Sequence, residues 1–146
     1  MRIALGTDER TALFDALVSH LEANGHQVGV AADGIPWPQV GGEVGRAVAG
    51  GAADLGVVSC TTGTGVCIAA NKVHGIRAAL CTDAETAKGA RRWNDANVLA
   101  YGIRLTTESL AFEMVDAFLA TPFDQAEADL VASVEAKPDM GRAGGL

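Results

Sequence analysis

Residues 54–72 read Asp-Leu-Gly-Val-Val-Ser-Cys-Thr-Thr-Gly-Thr-Gly-Val-Cys-Ile-Ala-Ala-Asn-Lys. An apolar, β-branched run from Leu55 gives way to small polar residues and glycines, and an alanine-rich segment follows from Val66. This order predicts a strand, a tight turn and the N-terminus of a helix. The free N–H groups of such a turn meet the positive end of the helix dipole, and Gly63 and Gly65 allow a ligand close to the backbone. The stretch therefore predicts an anion-binding turn.

Cys60 is predicted to be the last residue of this strand, at the rim of the anion site. Positive potential favours a thiolate, which can act as a base or a nucleophile. An isolated cysteine at the end of a core strand is more often just a small buried residue. The polar turn beside it, with Thr61, Thr62 and Thr64, instead favours a catalytic cysteine with the turn as its binding site.

A dinucleotide-binding fingerprint is the main competing interpretation of the turn. Gly63-Thr64-Gly65 could begin it, and Asp83 lies at a suitable distance for a ribose hydroxyl. The third small position is Ile68, however, and the fingerprint normally opens the first βαβ unit of its domain, whereas two strand patterns precede this one. We expect no nicotinamide and no other cofactor.

Composition excludes several classes of function. The chain has 146 residues, enough for one domain, and its formal charge is 11 − 18 = −7 without a basic patch, which disfavours nucleic acid. It has no apolar run long enough to span a bilayer, and Met1 leads straight into a strand, so we expect a cytoplasmic protein without a membrane partner. Three scattered cysteines and three scattered histidines predict neither a metal site nor disulfides. A small-molecule ligand is the expectation that remains.

Periodicity and turn residues predict the remaining elements. A helix is expected from the spacing of Leu13, Leu17 and Leu21, and it ends at Asn24-Gly25. A later helix carries Leu110, Met114 and Phe118, as core or interface. The predicted strands are 2–7, 27–31, 55–60, 76–81 and 97–100, and the other predicted helices are 40–49, 66–72 and 83–92.

Four blocks together carry a resemblance to a known family: Cys60-Thr-Thr-Gly-Thr-Gly, Ile68-Ala-Ala-Asn-Lys-Val, Gly75-Ile-Arg-Ala-Ala-Leu-Cys and Asn94-Asp-Ala-Asn-Val-Leu. In this order and spacing they resemble the ribose-5-phosphate isomerase B and galactose-6-phosphate isomerase (RpiB/LacAB) family, over about residues 1–122. The resemblance implies a single α/β domain, 1–136, with a three-layer, doubly wound, Rossmann-like sheet of five parallel strands. The segment 137–146 is expected to be a frayed tail. A homodimer or tetramer is also implied, because a neighbouring subunit completes the family site.

The resemblance implies a metal-independent isomerase acting on a sugar or sugar phosphate. The Cys60 thiolate would move a proton between C1 and C2, while Thr62 and the N–H groups around Gly63 and Gly65 would stabilise the enediolate. A related subgroup uses a glutamate in the turn as base, but the corresponding residue here is Val66.

Several substrate-binding positions are assigned by the same resemblance. Asp8 would meet sugar hydroxyls, although a helix N-cap is its ordinary alternative. Glu9 stands where the family has a histidine, and it is more simply a solvated acid. Trp37 replaces a tyrosine that borders the sugar, and it could equally be a packing wedge or part of a subunit contact. Cys67, often serine in the family, could pack or face the ligand.

Trp93 is the most informative departure from the family pattern. It replaces a histidine credited with opening the sugar ring, and an indole N–H cannot act as acid or base near neutral pH. Asn94 and Asn97 remain as partners for hydroxyl groups, although Asn97 could instead hold the loop before the last strand. Arg104 matches an arginine that helps to bind the phosphate.

The arginine clamp that grips the phosphate in the family is absent. After Pro122 the sequence has Phe123-Asp-Gln-Ala-Glu-Ala-Asp-Leu-Val. Glu127 and Asp129 would therefore place negative charge, which repels a phosphate, where the family has arginines. We therefore expect a substrate other than ribose 5-phosphate, unphosphorylated or already open-chain, unless Arg91, Arg92 or Arg142 rebuilds a phosphate site. A non-catalytic sugar-binding subunit, or a partner subunit in a hetero-oligomeric isomerase, is the alternative from a different class.

Overall fold

A computed structural model describes residues 1–135 of the chain, so the expectation for the tail at 137–146 lies outside the described residues. Five strands alternate with helices, as the sequence predicts. In chain order the elements are β1 (Arg2–Thr7), α1 (Ala12–Ala23), β2 (Gln27–Asp33), α2 (Trp37–Ala49), β3 (Leu55–Cys60), α3 (Thr64–Asn71), β4 (Ala78–Leu80), α4 (Ala84–Asn94), β5 (Val98–Gly102), α5 (Glu108–Ala120) and α6 (Ala128–Glu135). Short 3₁₀ turns precede α5 and α6, at Ile103–Leu105 and Gln125–Glu127.

All strand pairs are parallel, in the order β2-β1-β3-β5-β4. Helices α2 and α3 pack together on one face, whereas α1, α4 and α5 pack on the other. The expected three-layer, doubly wound architecture is confirmed.

Side-chain alternation along the strands divides the interior into two cores. Leu5, Val57 and Leu99 belong to the core under α1, α4 and α5, and their neighbours Ala4 and Val58 belong to the core under α2 and α3. Large residues fill the first core and small ones line the second, so α2 and α3 lie close to the sheet. At about 1.5–3 kcal/mol for each fully buried Leu, Val or Phe, these two layers supply most of the stabilisation.

Helix termini explain two of the polar residues that the sequence leaves ambiguous. The Thr11 side chain, and not that of Asp8, caps α1 by accepting from the Phe14 N–H. Asp83, the candidate ribose partner of the rejected fingerprint, forms a capping box with Thr86 at the start of α4. The alternative role of Asp8 as an N-cap is therefore wrong.

Four expected boundaries are corrected by the structure. Helix α2 begins at Trp37 and not at residue 40. Its first turn can include Pro38, because N–H groups there have no acceptor within the helix and the missing N–H of proline breaks no hydrogen bond. Helix α3 begins at Thr64, and β2 extends to Asp33. Strand β4 spans only Ala78–Leu80, at an edge of the sheet, and is shorter than the predicted 76–81.

The apolar stripe of α5 is core and leaves little for an interface. Met114 and Phe118 are fully buried, so of the two expected roles, core or interface, this stripe has the first. Exposed apolar side chains occur instead at Trp93, Leu130 and Val134. Within residues 1–135, no helix combines the length and apolar character that crossing a membrane requires.

Candidate active site

The carboxyl ends of β1, β3 and β5 lie side by side around the turn after β3. The chain leaves β3 toward the α2 and α3 face, whereas it leaves β1 and β5 toward the opposite face. Such reversals open crevices at the carboxyl edge of a parallel sheet, where ligands bind in folds of this kind. Cys60 and Gly102 pair across β3 and β5 at this edge.

The turn after β3 is organised around the sulfur of Cys60. Cys60 is the last strand residue, is 5% exposed, and its Sγ accepts the Gly63 N–H at 3.2 Å. Thr64 and Gly65 begin the first turn of α3, whose N–H groups have no acceptor within the helix. The Thr62 and Thr64 hydroxyls bond each other at 2.8 Å on the exposed side. Sulfur and unpaired N–H groups thus meet where the helix dipole is positive.

Both glycines of the turn serve packing, which differs from the expected role of admitting a ligand. Gly63 has φ 78°, and a Cβ there would lie 2.6 Å from Leu80 Cδ1 and from the carbonyl carbon of Tyr101. A Cβ on Gly65 would lie 3.0 Å from the Trp37 ring. The atoms that come close to the two glycines are therefore those of neighbouring protein residues. Because the Gly63 N–H goes to sulfur, the N–H groups left for a ligand are those at the start of α3.

Asp8 lies across the crevice, just beyond β1. Its N–H reaches Ser59 O at 3.4 Å, while its Oδ1 is buried without a hydrogen-bond partner among the described residues. Burial, and then the neighbouring Glu9 carboxylate, raise the pKa of Asp8. A buried carboxyl oxygen without a partner is suited to accept a hydrogen bond from a ligand.

Three other predicted residues lie at this edge. Trp37 stands against the turn, half exposed. Arg104 is exposed in the 3₁₀ turn after β5, and its N–H donates to Thr61 O at 3.0 Å. Glu9 is exposed, without a catalytic contact in the described structure. Nearby, Arg10 is bonded to Asp33 and Asp15, so its charge is already neutralised by its own chain.

Two predicted ligand residues are engaged elsewhere. The Cys67 thiol donates to Ala78 O at 3.4 Å, and burial raises its pKa, so it packs between α3 and β4. Asn97 accepts the Arg77 N–H and donates to Gly75 O, both at 2.8 Å. Its side chain is therefore structural, but it holds the loop before β4 and not, as the sequence left open, the loop before the last strand.

Trp93 and Asn94 lie at the opposite edge of the sheet. Helix α4 runs antiparallel to the strands, so its last turn ends at their amino edge. There a groove of about 1130 Å³ separates α6 from the body of the domain. We call it the amino-edge groove; its lining includes Asn71, His74, Arg77, Trp93, Asn94, Glu127, Leu130, Val134 and Glu135. A single subunit therefore cannot bring Trp93 and Asn94 to Cys60.

Charged side chains around the amino-edge groove are largely paired with one another. Arg77 bonds Asp95 at 2.8 Å and Glu135 at 3.1 Å, which ties α6 to the body. Arg91 donates to Ala96 O at 2.6 Å and pairs with Asp95, so it is not available to replace the phosphate clamp. Of the other two candidates, Arg92 is exposed, and Arg142 lies outside the described residues. No cluster of metal-ligating side chains occurs within the described part of the chain.

A row of buried hydroxyls was missed by sequence reasoning. Ser59 pairs with Thr7 across β1 and β3 and with Tyr101 across β3 and β5. Thr7 is the last residue of β1, whereas Ser59 and Tyr101 are the penultimate residues of their strands. The available signal was a serine and a threonine within otherwise apolar strands.

Comparisons with known proteins agree with this fold. The model of the family described as Ribose/Galactose Isomerase matches residues 3–133. Ribose-5-phosphate isomerase B of Escherichia coli (strain K12) is 39% identical over 128 residues, which are 84% of this chain and 86% of that protein. D-erythrulose-4-phosphate isomerase of Pectobacterium atrosepticum is 42% identical over 88 residues, 60% of this chain and 58% of that protein. The structure of Clostridium thermocellum ribose-5-phosphate isomerase B has a TM-score of 0.86 and 37% identity, covering 92% of this chain and 95% of that one.

Proposed function

The chain belongs to the ribose/galactose isomerase family, and we propose that it is an aldose–ketose isomerase for an open-chain sugar phosphate other than ribose 5-phosphate. The observation that carries this proposal is the bond from the Gly63 N–H to Cys60 Sγ at the N-terminus of α3. It supports a thiolate base held beside N–H groups that can receive an oxyanion.

The proposed reaction moves one proton on carbon and one on oxygen. The Cys60 thiolate removes the proton from C2 of the aldose, and the C2–H electron pair forms the C1–C2 double bond while the C1 carbonyl oxygen becomes the oxyanion. N–H groups at Thr64, Gly65 and Val66 stabilise this enediolate. The Cys60 thiol then returns its proton to C1, and the O2 proton moves to O1 as the C2 carbonyl forms. No net oxidant or reductant is required.

Asp8 and Trp37 frame the bound chain of the sugar in this proposal. The Asp8 Oδ1, buried without a partner in the described structure, would accept a hydroxyl hydrogen of the substrate. Trp37 would cover the apolar face of the carbon chain, since its ring stands against the turn at Gly65. Arg104 is exposed beside Thr61 and would meet the phosphate.

The proposed substrate follows from the absence of a residue at position 93 that could open a sugar ring. Trp93 cannot transfer a proton to a ring oxygen, so a cyclic sugar would have to open without catalysis. A tetrose or tetrulose phosphorylated on O4 has no free hydroxyl to close a five-membered ring, so it needs no ring-opening group. The similarity to a D-erythrulose-4-phosphate isomerase adds support for this class.

A second copy of the chain is proposed to complete the site. Trp93 and Asn94 lie in the amino-edge groove, where Leu130 and Val134 are 67% and 71% exposed. Burying such side chains between subunits is favourable. We infer a homodimer, or a tetramer of two dimers, in which the amino-edge groove of each subunit covers the Cys60 crevice of the other.

Proton exchange in deuterated water, at C2 of an aldose and at C1 of a ketose, tests the catalytic proposal. The panel contains D-erythrulose 4-phosphate, ribose 5-phosphate and unphosphorylated erythrulose, each followed by ¹H NMR with the purified protein. We expect deuterium incorporation and ketose–aldose conversion with the tetrulose phosphate at the highest rate. Exchange with none of the panel would overturn the proposal and favour a non-catalytic partner subunit.

Mixing two inactive variants tests the shared site independently. Cys60→Ala and Asn94→Ala chains are each expected to be nearly inactive, because each homodimer lacks one half of both sites. A hybrid dimer would contain one intact site, so the unfolded and refolded mixture should regain a substantial fraction of the activity. Mixtures that stay inactive although hybrids form by native mass spectrometry would contradict the shared site.

A further inference from the structure

The buried hydroxyls below the Cys60 crevice form a continuous chain of hydrogen bonds. Ser59 Oγ donates to Thr7 Oγ1 at 3.0 Å, and Thr7 Oγ1 donates to Glu9 O at 2.9 Å. The Glu9 N–H donates back to Thr7 Oγ1 at 3.3 Å. A hydroxyl has one donor and two acceptor sites, so all three sites of Thr7 are used.

Tyr101 pairs with Ser59 across β3 and β5, beside this chain; burial raises the pKa of its phenol, and the neighbouring Ser59 hydroxyl lowers it. Tyr101 is 1% exposed, Thr7 is 0% and Ser59 is 2% exposed. Buried hydroxyls of this kind require partners, so the geometry of each fixes that of the next.

The chain ends on the backbone of the residues that present Asp8. Thr7 Oγ1 holds both the N–H and the carbonyl of Glu9, and the Asp8 N–H points to Ser59 O at 3.4 Å. Asp8 lies between these anchored groups, with its Oδ1 buried and unbonded in the described structure. The hydroxyl chain thus fixes the backbone on both sides of Asp8, and with it the orientation of the Asp8 carboxyl, without contacting a ligand.

We propose that Thr7 and Ser59 are positioning residues, whose paired hydroxyls fix the Thr7–Glu9 turn and thereby aim the Asp8 carboxyl at the substrate hydroxyls. This rests on the proposed function for the identity of the ligand, but the positioning of Asp8 can be measured without it. Because Asp8 would hold the substrate and Cys60 would perform proton transfer, loss of the hydroxyls should act mainly on substrate binding.

Two substitutions at one position separate positioning from packing. Thr7→Val keeps the shape of the side chain and removes the hydroxyl, whereas Thr7→Ser keeps the hydroxyl and removes a methyl group. For the tetrulose phosphate we expect Thr7→Val to raise KM about tenfold with kcat changed less than threefold, and Thr7→Ser to stay near the original protein. A larger KM effect for Thr7→Ser than for Thr7→Val would overturn the proposal in favour of packing.

A double-mutant cycle identifies the residue through which Thr7 acts. In an Asp8→Asn background, Thr7→Val should raise KM by less than twofold, because the aimed carboxyl is already gone. A full tenfold effect in that background would overturn the proposal. If Thr7→Val is too unstable to purify, Thr7→Val/Ser59→Ala leaves no orphan hydroxyl between the two strands and serves the same comparison.

The titration of Asp8 gives a measurement that needs no activity. NMR of the Asp8 side-chain carbon should give a lower pKa in Thr7→Val than in the original protein, because a released carboxyl gains solvent. Thr7→Ser should leave the titration unchanged, and an unchanged titration in Thr7→Val would overturn the positioning of Asp8. Absence of isomerase activity in the original protein would instead count against the proposed function alone.

Discussion

The two edges of the sheet differ in how completely one subunit builds them. At the carboxyl edge, Cys60 is 5% exposed, its sulfur is bonded, and Gly63 fits against Leu80. At the amino edge, Trp93 is 56% exposed and lines a groove under α6. The proposed base is thus held by its own chain, whereas the surface at the amino edge is open to a second copy of the chain. Changes at the amino edge can therefore alter the substrate without disturbing the base.

The largest expected effect is on proton transfer at the carboxyl edge, where Cys60 is the proposed base. Cys60→Ala should lower kcat by about 10²–10⁴-fold, since it removes the proposed base. The matched control is Cys67→Ala, which removes a thiol that packs against Ala78 and should retain kcat within about threefold of the original. Steady-state kinetics on the tetrulose phosphate measure both, and comparable losses in the two variants would contradict the assignment.

The second prediction asks whether the amino edge sets the substrate. The original protein should have a kcat/KM for ribose 5-phosphate below about 10⁴ M⁻¹s⁻¹, because ring opening is uncatalysed. Trp93→His should raise it at least about tenfold through a restored acid–base group, with little change for an open-chain substrate. Trp93→Phe, which lacks such a group, is the control. An equal gain in both variants would mean that removing the indole, not adding the imidazole, matters.

The third prediction compares the packing of the two edges through matched glycines. Gly63 and Gly75 have φ 78° and 81°, but a Cβ at Gly63 meets backbone 2.6 Å away whereas one at Gly75 meets nothing within 4 Å. Gly75→Ala should lower the free energy of unfolding by about 1–2 kcal/mol, from backbone strain alone. Gly63→Ala should lower it by about 3 kcal/mol or more, because overpacking is added to strain. Urea unfolding measures both, and equal losses would contradict the difference in packing.

The smallest effect concerns the pH dependence of stability at the two edges. The pKa of Asp8 is raised in the folded protein by burial and by Glu9, so its stabilising contribution is present below the ordinary pKa of 3.8 and is lost as pH rises through the raised pKa. Asp54, at the amino edge, has its pKa lowered by hydrogen bonds from Arg2, so its contribution is present above 3.8 and is lost as pH falls through the lowered pKa.

The two amide variants should therefore show opposite pH dependences of the free energy of unfolding, each measured relative to the original protein. The free energy of unfolding of the original protein relative to Asp8→Asn should decrease as pH rises from 3, whereas that relative to Asp54→Asn should increase. Urea unfolding at a series of pH values measures both differences. Parallel pH profiles for the two variants would show that neither carboxyl is perturbed as described.

Local sequence was sufficient for the strand, turn and helix around Cys60, because strand propensity, glycine and helix signals agree there. It also placed Asp8, Trp37 and Arg104 at the same edge, since the carboxyl ends of parallel strands meet. It failed at β4 and at the start of α2. The apolar run predicts a strand at 76–81, but only pairing decides that β4 is limited to Ala78–Leu80 at the edge of the sheet.

The sequence by itself determined the fold, the family resemblance and the cysteine at the end of β3, because each depends on residue types at short spacing. Tertiary structure decided which candidates share a location. It separated Trp93 and Asn94 from Cys60, since a helix between parallel strands must return to the opposite edge of the sheet. It also joined Thr7 to Ser59, because residues 52 positions apart become neighbours only when their strands pair.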